Sequence, residues 1–361
     1  MEETGFMTKR ISYVLSVLLT AFALAGCGKG IDIAFVTDMG TINDGSFNQG
    51  AYEGVVSYTD STGKTSKVYE PDGATTDAYL KNIKSAVRDG ADVVVCPGVL
   101  FEEAIYIAQK KYPKVEFILL DGEPHNAAGD DLTIKENTIP VMFSEEQAGF
   151  LAGYSAVRDG NTELGFVGGT NQDSIIQFGY GFVQGADYAA IEMGVNVTVK
   201  YCYANTFIES DEVKNMTSAW YKGGTQVIFA CGGAMGRSVM SAAEENGGKV
   251  IGVDIDQSTM SDTVITSAEK MLTNAVYNCL GSYYNGTLKG GEVVEMNAAN
   301  NGIALEMENS RFDVFSQVEY DAIFSQLASG RIVPYASVAY GNTSDLELMN
   351  TEVYYLELNN G

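Results

Sequence analysis

Two phenylalanines occupy equivalent positions in two stretches of this chain that resemble each other. The first stretch, FVTDMGTINDGSFNQGAYEG, spans residues 35–54, and the second, FVGGTNQDSIIQFGYGFVQG, spans residues 166–185. Each contains an apolar run, a polar loop with glycine, and then a phenylalanine at the same offset, Phe47 or Phe178. A single phenylalanine at such a place is more often a core aromatic beneath the loop. The matched pair instead indicates a slot for a flat ring, where stacking contributes about 1 to 3 kcal/mol per ring.

Two aspartates form a second matched pair. The segments DVVVCPG and VEFILLDG resemble QVIFACGG and KVIGVDID further along, which aligns Asp121 with Asp254. An ionised carboxylate accepts two hydrogen bonds, so either residue could hold a vicinal diol or a pair of ring N–H groups. Either could equally cap a helix, a common role for aspartate after a strand. Lys270 could donate to a sugar oxygen, but the sequence alone favours a solvated lysine at the start of a predicted helix over 270–284.

The polar loop of the first stretch also suggests an enzyme, because nucleoside hydrolases hold calcium with clustered aspartates after a strand. Asp38, Asn43 and Asp44 lie in this loop, yet Asp38 and Asp44 are too far apart in sequence for that tight cluster. His125 is the only histidine, which leaves little for histidine-dependent nucleophiles or metal sites. The glycine-rich segments GGT and CGGAMG match neither a P-loop nor GxGxxG. We therefore expect no catalytic residue, no metal and no cofactor.

Length and charge limit the class of protein. A chain of 361 residues exceeds one comfortable hydrophobic core, so two domains are expected. The net charge of −25 argues against nucleic acid as a partner and disfavours polyanionic ligands, whereas uncharged or cationic ligands fit. The cysteines beyond the N-terminal region match no metal-site spacing and predict no particular disulfide. They are Cys96, Cys202, Cys231 and Cys279.

The first 26 residues, 1–26, differ in kind from the rest of the chain. Lys9 and Arg10 precede an apolar run over 11–24, and the run leads into LAGC, which ends at Cys27 and has the form of a lipobox. As a helix the run would span about 21 Å, less than the roughly 30 Å of a bilayer core, so a signal peptide is favoured over a membrane anchor. Cys27 is the predicted site of lipid attachment, which would hold the protein on the extracytoplasmic face of the cell membrane. A plain secretory signal with a chance cysteine is the alternative.

Strand-like runs alternate with helical patterns through most of the chain, which predicts an α/β protein with parallel sheets covered by helices. We expect two doubly wound lobes. The first would comprise 31–141 with about 267–301, and the second 142–266 with about 302–361. Ligands of open α/β sheets bind outside the carboxyl ends of the strands, so the loops that carry the matched aspartates are the expected ligand site.

Several segments together carry a resemblance to a known family. They are the lipobox, VTDMGTINDGSFNQGAYEG, VVVCPG, FILLDG, FSEEQAGFLAG, GFVGG, GVDIDQ, TSAEK and LASGRIVP, and they extend from about Ile31 to Pro334. The chain resembles the basic membrane protein family of substrate-binding lipoproteins, which includes the purine nucleoside receptors of bacterial ABC importers. The resemblance implies a type I periplasmic-binding-protein fold, with two lobes joined by a three-crossover hinge that closes on the ligand. It also implies a monomer that delivers a nucleoside, most often a purine one, to ABC permease subunits.

The resemblance assigns ligand-binding roles to eight positions. In such receptors a purine lies between two aromatic rings, which match Phe47 and Phe178 here. Polar side chains of the first lobe, matching Asp38 and Asn48, lie beside it, and the residue matching Asp121 binds the base edge. The position of Gly232 contributes backbone, and the positions of Asp254 and Lys270 hold the ribose hydroxyls.

The sequence departs from the family pattern at two places. Many members have Asp and Lys where this chain has Asn43 and Gly45, and an arginine-bearing RFE where it has residues 177–179. These departures leave open a receptor of the same fold for another small molecule, such as a flavin or a signalling ligand. A nucleoside-cleaving enzyme that uses the loop with Asp38 and Asp44 is the alternative from another class. The tail beyond Pro334 has no predicted function.

Overall fold

A computed structural model describes residues 30–287, 290–336 and 343–358. The predicted signal peptide and Cys27 lie outside these residues. The strands are β1 (Ile33–Val36), β2 (Ser66–Tyr69), β3 (Val93–Pro97), β4 (Glu116–Leu120), β5 (Thr138–Phe143), β6 (Glu163–Gly168), β7 (Val197–Tyr203), β8 (Val227–Cys231), β9 (Lys249–Asp254), β10 (Val264–Lys270), β11 (Val294–Met296), β12 (Ile303–Leu305) and β13 (Thr351–Tyr355). The helices are α1 (Phe47–Thr62), α2 (Thr76–Arg88), α3 (Glu102–Lys111), α4 (Glu145–Arg158), α5 (Asp173–Met193), α6 (Asp211–Lys222), α7 (Gly236–Asn246), α8 (Leu272–Tyr284) and α9 (Gln317–Ala328).

The strands form two sheets with the same central plan. The first sheet has the order β11-β5-β4-β3-β1-β2, and the second has the order β12-β10-β9-β8-β6-β7-β13. Neighbouring strands are parallel except for the antiparallel pair β10 and β12. Strands β3, β4 and β8 are buried along their whole length, as expected for strands covered by helices on both faces. The predicted parallel α/β architecture is confirmed.

The shared plan explains the internal resemblance of the sequence. Strand β1 corresponds to β6 by its place in the sheet, and the helices that follow them, α1 and α5, carry Phe47 and Phe178. Strand β4 corresponds to β9, and these strands lead to Asp121 and Asp254. Matched sequence positions therefore occupy matched places in the two sheets.

The chain passes between the two sheets at three places within the described residues. It leaves the first sheet after β5, returns to it between β10 and β11, and leaves it again between β11 and β12. Sheet membership thus changes at Phe143 and Lys270, a few residues after the lobe boundaries expected at 141 and 266. The assignment of the remaining segments to lobes stays a prediction.

Two glycines follow Phe47 and Phe178 at the same offsets, Gly50 and Gly54 in the first stretch and Gly181 and Gly185 in the second, and glycines on these helices allow close packing. A Cβ atom at Gly181 on α5 would lie 2.0 Å from the Glu146 carbonyl oxygen on α4, and one at Gly153 on α4 would lie 1.9 Å from the Phe182 carbonyl oxygen. In the first half, a Cβ at Gly54 on α1 would lie 2.7 Å from a backbone oxygen of α8. Only glycine permits such close approaches, so these residues fix α1 and α5 against their neighbours.

The tail beyond Pro334 adds an edge strand to the second sheet. Strand β13 pairs in parallel with β7. The Asp187 carboxylate on α5 accepts hydrogen bonds from the backbone N–H groups of Met349, at 3.1 Å, and Asn350, at 2.7 Å. The described part of the tail is therefore packed against the body of the protein.

Four cysteine thiols are buried and unpaired in the described part of the chain. They are Cys96, Cys202, Cys231 and Cys279. Burial raises the pKa of the Cys96 thiol well above its usual value, which makes the thiolate scarce and the residue unreactive. Over residues 30–287, 290–336 and 343–358, no helix has both the length and the apolar character needed to cross a membrane.

Candidate functional site

A cavity of about 230 Å³ lies at the carboxyl ends of the strands, where the two sheets face each other. Its walls come from the segments that follow β1, β3 and β4 of the first sheet and β6, β7 and β8 of the second, and from the last residues of β9 and β10. This volume suits a small metabolite, since it lies just below the range of about 300–1,000 Å³ for drug-sized ligand pockets. All eight predicted ligand-binding residues line it, namely Asp38, Phe47, Asn48, Asp121, Phe178, Gly232, Asp254 and Lys270.

The two matched phenylalanines approach the same ammonium group. Phe47 is half-buried at the first position of α1, whereas Phe178 on α5 is buried. The Lys270 Nζ atom lies 5.0 Å from the centroid of the Phe47 ring and 5.3 Å from that of the Phe178 ring. Both distances fall within cation–π range. One ring from each half of the chain therefore borders the same small volume.

The two matched aspartates share an uncommon backbone conformation. Asp121 has φ of 53° and Asp254 has φ of 70°, in the left-handed region. Aspartate tolerates this region better than most residues, yet the conformation still costs about 1–3 kcal/mol and such residues cluster at ligand sites. Each turn directs its carboxylate into the cavity instead of onto a helix N-terminus. The helix-cap alternative does not describe either residue.

Asp254 forms a contact between the two halves of the protein. The Ser46 hydroxyl before α1 donates to Asp254 Oδ2 at 2.5 Å. Asp254 is 7% exposed, and burial raises its pKa to about 6, although Lys270 and the hydroxyl of Ser46 act in the opposite direction. At neutral pH this carboxylate is ionised, and it can accept further hydrogen bonds from a ligand.

Lys270 is the central cation of the cavity and not a solvated lysine on a helix. It ends β10, is 3% exposed, and α8 begins only at Leu272. Its ammonium forms ion pairs with Asp121 Oδ2 and, at 2.8 Å, with Glu145 Oε1. Burial opposes the charge, but these carboxylates and Asp254 together raise the pKa of Lys270 above its usual value. The lysine is therefore charged at every physiological pH.

Asp121 keeps one oxygen atom without a partner. Its side chain is 7% exposed, its Oδ2 binds Lys270, and its buried Oδ1 has no hydrogen-bond partner among the described residues. Burial raises the pKa of this carboxyl, and the neighbouring ammonium opposes that shift. A buried oxygen left unsatisfied is costly, so the site favours a ligand that donates a hydrogen bond at this point.

The acidic loop after β1 stabilises the N-terminus of α1. The Asp44 carboxylate accepts hydrogen bonds from the backbone N–H groups of Ser46, Asn48 and Gln49 at 2.8 to 3.1 Å. The Asn48 side-chain amide donates to Asp44 Oδ2 at 3.0 Å and to Asp38 Oδ1 at 2.9 Å. Asp44 thus caps the helix that carries Phe47. Across the described residues no group of three or more potential metal ligands comes together.

Gly232 brings bare backbone to the cavity wall. A Cβ atom at this position would lie 2.7 Å from the Gly169 Cα atom and 2.6 Å from the Met235 side chain. The strand ends of β6 and β8 therefore approach more closely than side chains would allow. The contact of this backbone with a ligand stays a prediction.

Sequence reasoning did not find several residues that shape the site. Gln257 Nε2 donates to the Gly45 carbonyl oxygen at 2.8 Å, and Arg237 on α7 lies 3.4 Å from the Asp44 carbonyl oxygen, so both connect the second half of the protein to the first. Glu145, which pairs with Lys270, was also missed. No local pattern indicates these contacts, because each joins residues that are distant along the chain.

His125 is a structural residue of its loop. Its Nε2 lies 3.0 Å from Glu102 Oε2, and its Nδ1 lies 2.7 Å from the Asn126 carbonyl oxygen. The hydrogen bond to the Asn126 backbone raises the pKa of His125, and this effect outweighs burial, which lowers it. The residue does not line the cavity.

Comparison with known proteins gives consistent matches. A sequence model of the Bmp family, described as "ABC transporter substrate-binding protein PnrA-like", matches residues 31–332. The chain is 29% identical to the ABC transporter nucleoside-binding protein BmpA of Lactococcus lactis subsp. cremoris, over 85% of this chain and 94% of that protein. It is 30% identical to basic membrane protein B of Borreliella burgdorferi, over 83% of this chain and 89% of that protein.

A solved structure supports the fold independently. An ABC transporter solute-binding protein from Aeropyrum pernix K1 superposes with a TM-score of 0.74 at 19% identity, over 86% of this chain and 94% of that one. The predicted periplasmic-binding-protein fold is confirmed, and so is the family resemblance. The family match covers most of the chain, which therefore belongs to the Bmp family of PnrA-like ABC transporter substrate-binding proteins.

Proposed function

We propose that this protein captures a nucleoside in the cavity between its two lobes, with purine nucleosides as the preferred ligands, and delivers it to ABC permease subunits. The observation that carries the proposal is the pair of phenylalanine rings, one from helix α1 and one from helix α5, that both approach the charged Lys270 ammonium. Phe47 and Phe178 would stack on the two faces of the base. The name of the Lactococcus relative, a nucleoside-binding protein, supports the same ligand class.

The polar groups would read the two ends of the nucleoside. Asp121 offers an unpartnered oxygen to the N–H groups of a purine edge. Asp254 and Lys270 offer an acceptor and a donor to a pair of ribose hydroxyls. Asp38 and Asn48 would contribute polar contacts from the first lobe, and Gly232 would contribute backbone from the second.

The charge of the cavity favours a nucleoside over a nucleotide. Lys270 and Arg237 are the cations among the described lining residues, and carboxylates outnumber them. Lys270 is already paired with two carboxylates and Arg237 with backbone oxygens and Glu209. A phosphate group would therefore meet uncompensated negative charge, which disfavours its binding.

The proposal includes where the receptor is located and how it closes. Lipid attachment at Cys27 would hold a monomeric receptor on the extracytoplasmic face of the membrane, where it could reach its permease. The two lobes, 31–141 with about 267–301 and 142–266 with about 302–361, would close as a hinged clamp. Binding would need no cofactor and would break no bond.

Titration calorimetry tests the proposal. The chain from Gly28 onward is refolded to remove carried-over ligand and titrated with inosine, guanosine, adenosine, cytidine, ribose and riboflavin. Submicromolar binding of purine nucleosides with no response to ribose is expected. Silence from every nucleoside would contradict the proposal, and a riboflavin response alone would indicate a flavin receptor. Release of free base from inosine in the presence of calcium would indicate an enzyme instead.

A further inference from the structure

The Lys270 ammonium has a fixed number of hydrogen bonds to give. An ammonium carries three N–H donors. One donor is committed to Asp121 Oδ2, from the end of β4, and another to Glu145 Oε1 at 2.8 Å. The remaining donor is left for the cavity, where the rings of Phe47 and Phe178 flank the same nitrogen atom.

Glu145 lies behind this lysine and outside the cavity wall. It is the first residue of α4, directly after the crossover from β5, and it is 4% exposed. It does not appear among the residues that line the cavity. Its charged neighbours are Lys270 from β10 and Asp121 from β4, and the thiol of Cys231 at the end of β8 also faces it. Glu145 would therefore act on a ligand through a neighbour such as Lys270, with which it forms an ion pair, and not by direct contact.

We propose that Glu145 is a positioning residue for ligand binding, which holds the Lys270 ammonium so that its remaining N–H meets an acceptor on the bound molecule. The inference rests on the proposed function of this same site. A lysine side chain is long and flexible, so an ammonium with only one fixed partner would exchange its hydrogen bonds between several neighbouring acceptors. Asp254 is a competing carboxylate, because its charge also raises the pKa of Lys270. Glu145 limits this reorientation of the ammonium from a position outside the cavity lining.

The position of Glu145 also links the hinge to the site. Glu145 begins the helix that follows one crossover, and Lys270 ends the strand that precedes another. Their ion pair joins these two crossovers at the base of the cleft, and Asp121 joins the first sheet to the same ammonium. The direction of the ammonium is therefore set by groups on both sides of the hinge.

Substitutions at two adjacent glutamates test the inference. Glu145→Ala is expected to weaken inosine binding about tenfold, because the ammonium loses its second fixed partner. Glu145→Gln is expected to stay within about threefold of the wild type at pH 7, because the amide oxygen accepts the same hydrogen bond. Glu146→Gln is the matched control, since Glu146 is the next residue of α4, is also buried, and has no ion pair with Lys270.

The pH profile of the dissociation constant distinguishes positioning from general support of the fold. Burial raises the pKa of Glu145 to about 8, against the opposing effect of Lys270. Below pH 7 the wild type and Glu145→Gln should therefore bind alike. Above pH 8 the ionised Glu145 holds the ammonium more firmly than a neutral amide can, so the wild type should bind inosine more tightly than Glu145→Gln. Glu146→Gln should retain the wild-type pH profile.

A ligand-free measurement separates this inference from the proposed function. In protein with ¹⁵N-labelled lysine, the Nζ resonance of buried Lys270 should shift in Glu145→Gln and stay unchanged in Glu146→Gln. An unchanged Lys270 resonance in Glu145→Gln, or an unchanged inosine affinity in Glu145→Ala, would overturn the inference. If the wild type binds no nucleoside, the proposed function fails, and the resonance still decides the role of Glu145.

Discussion

Removal of the Lys270 charge would leave several buried carboxylates without a cation. Lys270 is 3% exposed and neutralises Asp121 and Glu145 directly, and it also lowers the pKa of Asp254. Loss of one partner from a buried ion pair typically destabilises a protein by about 3–5 kcal/mol. Each kcal/mol lowers the Tm of a large domain by about 2–4 °C, so Lys270→Met should lower the Tm by roughly 6 to 20 °C at pH 7.5.

The destabilisation should depend on pH in a defined direction. Burial raises the pKa of Glu145 to about 8 and that of Asp254 to about 6, above the values of about 4.3 and 3.9 in an unfolded chain. A carboxyl with a raised folded-state pKa favours the folded state at low pH, and this stability is lost as the pH rises through the folded pKa. Without the ammonium these pKa values rise further. The Tm difference between Lys270→Met and the wild type should therefore be smallest near pH 5 and grow towards pH 8.

Differential scanning calorimetry from pH 5 to 8.5 checks this prediction. Lys81→Met is the control, because Lys81 forms an ion pair with Asp72 at 2.5 Å and both side chains are mostly exposed to solvent. An exposed pair of that kind contributes about 1 kcal/mol at most. An equal loss of Tm for both variants, or a loss for Lys270→Met that does not change with pH, would refute the electrostatic reasoning.

Three further predictions concern the cavity and its support. Phe47→Ala and Asp254→Ala should each weaken nucleoside binding at least tenfold in calorimetry while the circular dichroism spectrum stays native; unchanged affinity in both would show that the cavity is wrongly assigned. Nucleoside affinity should fall as the pH drops from 7.5 to 5.5, because burial raises the pKa of Asp254 to about 6 and the protonated carboxyl loses acceptor capacity. Asp254→Asn should bind weakly with no such dependence, and a wild type that is insensitive to pH would contradict this role. Gly153→Ala should destabilise the protein by about 2 kcal/mol or more in urea unfolding, since its Cβ would lie 1.9 Å from a backbone oxygen, whereas Gly73→Ala meets open space and should be near neutral.

The sequence predicted the cavity well where one signal was repeated. Each half of the chain presents the same strand, loop and helix plan, so the sequence alone matches Phe47 with Phe178. Asp121 and Asp254 were matched in the same way. Parallel strands place such loops at the same edge of a sheet. A repeated local pattern was therefore enough to predict that side chains from distant segments would meet.

The sequence-based prediction was wrong for Lys270, whose surroundings depend on where a strand ends and a helix begins. A helix predicted over 270–284 places Lys270 on a solvated helix face, whereas β10 continues through Lys270 and the helix begins at Leu272. A shift of two residues moves the side chain into the cavity. Element ends are the least certain part of any assignment made from pattern.

Glu145 was missed for a different physical reason. A carboxylate in the first turn of a helix is favoured by the helix dipole, so its residue type carries no sign of a further role. Its partner Lys270 ends strand β10, far along the chain, and only the folded structure brings the two residues together. The same is true of Gln257, which reaches the Gly45 carbonyl oxygen across the cleft.

The contacts across the cleft and the contacts offered to a ligand use the same groups. Asp254 accepts from Ser46 of the first half, and it is also the carboxylate proposed to hold a ribose. Lys270 bridges Asp121 and Glu145 and still has one donor to give. The buried Asp121 Oδ1 has no donor among the described residues, and a buried oxygen without a donor is costly. Under the proposed function, a molecule that supplies this donor and fills the space between the rings would stabilise the contacts between the two halves, and one that lacks the donor would not. The affinity for the ligand and the stability of these contacts should therefore rise and fall together.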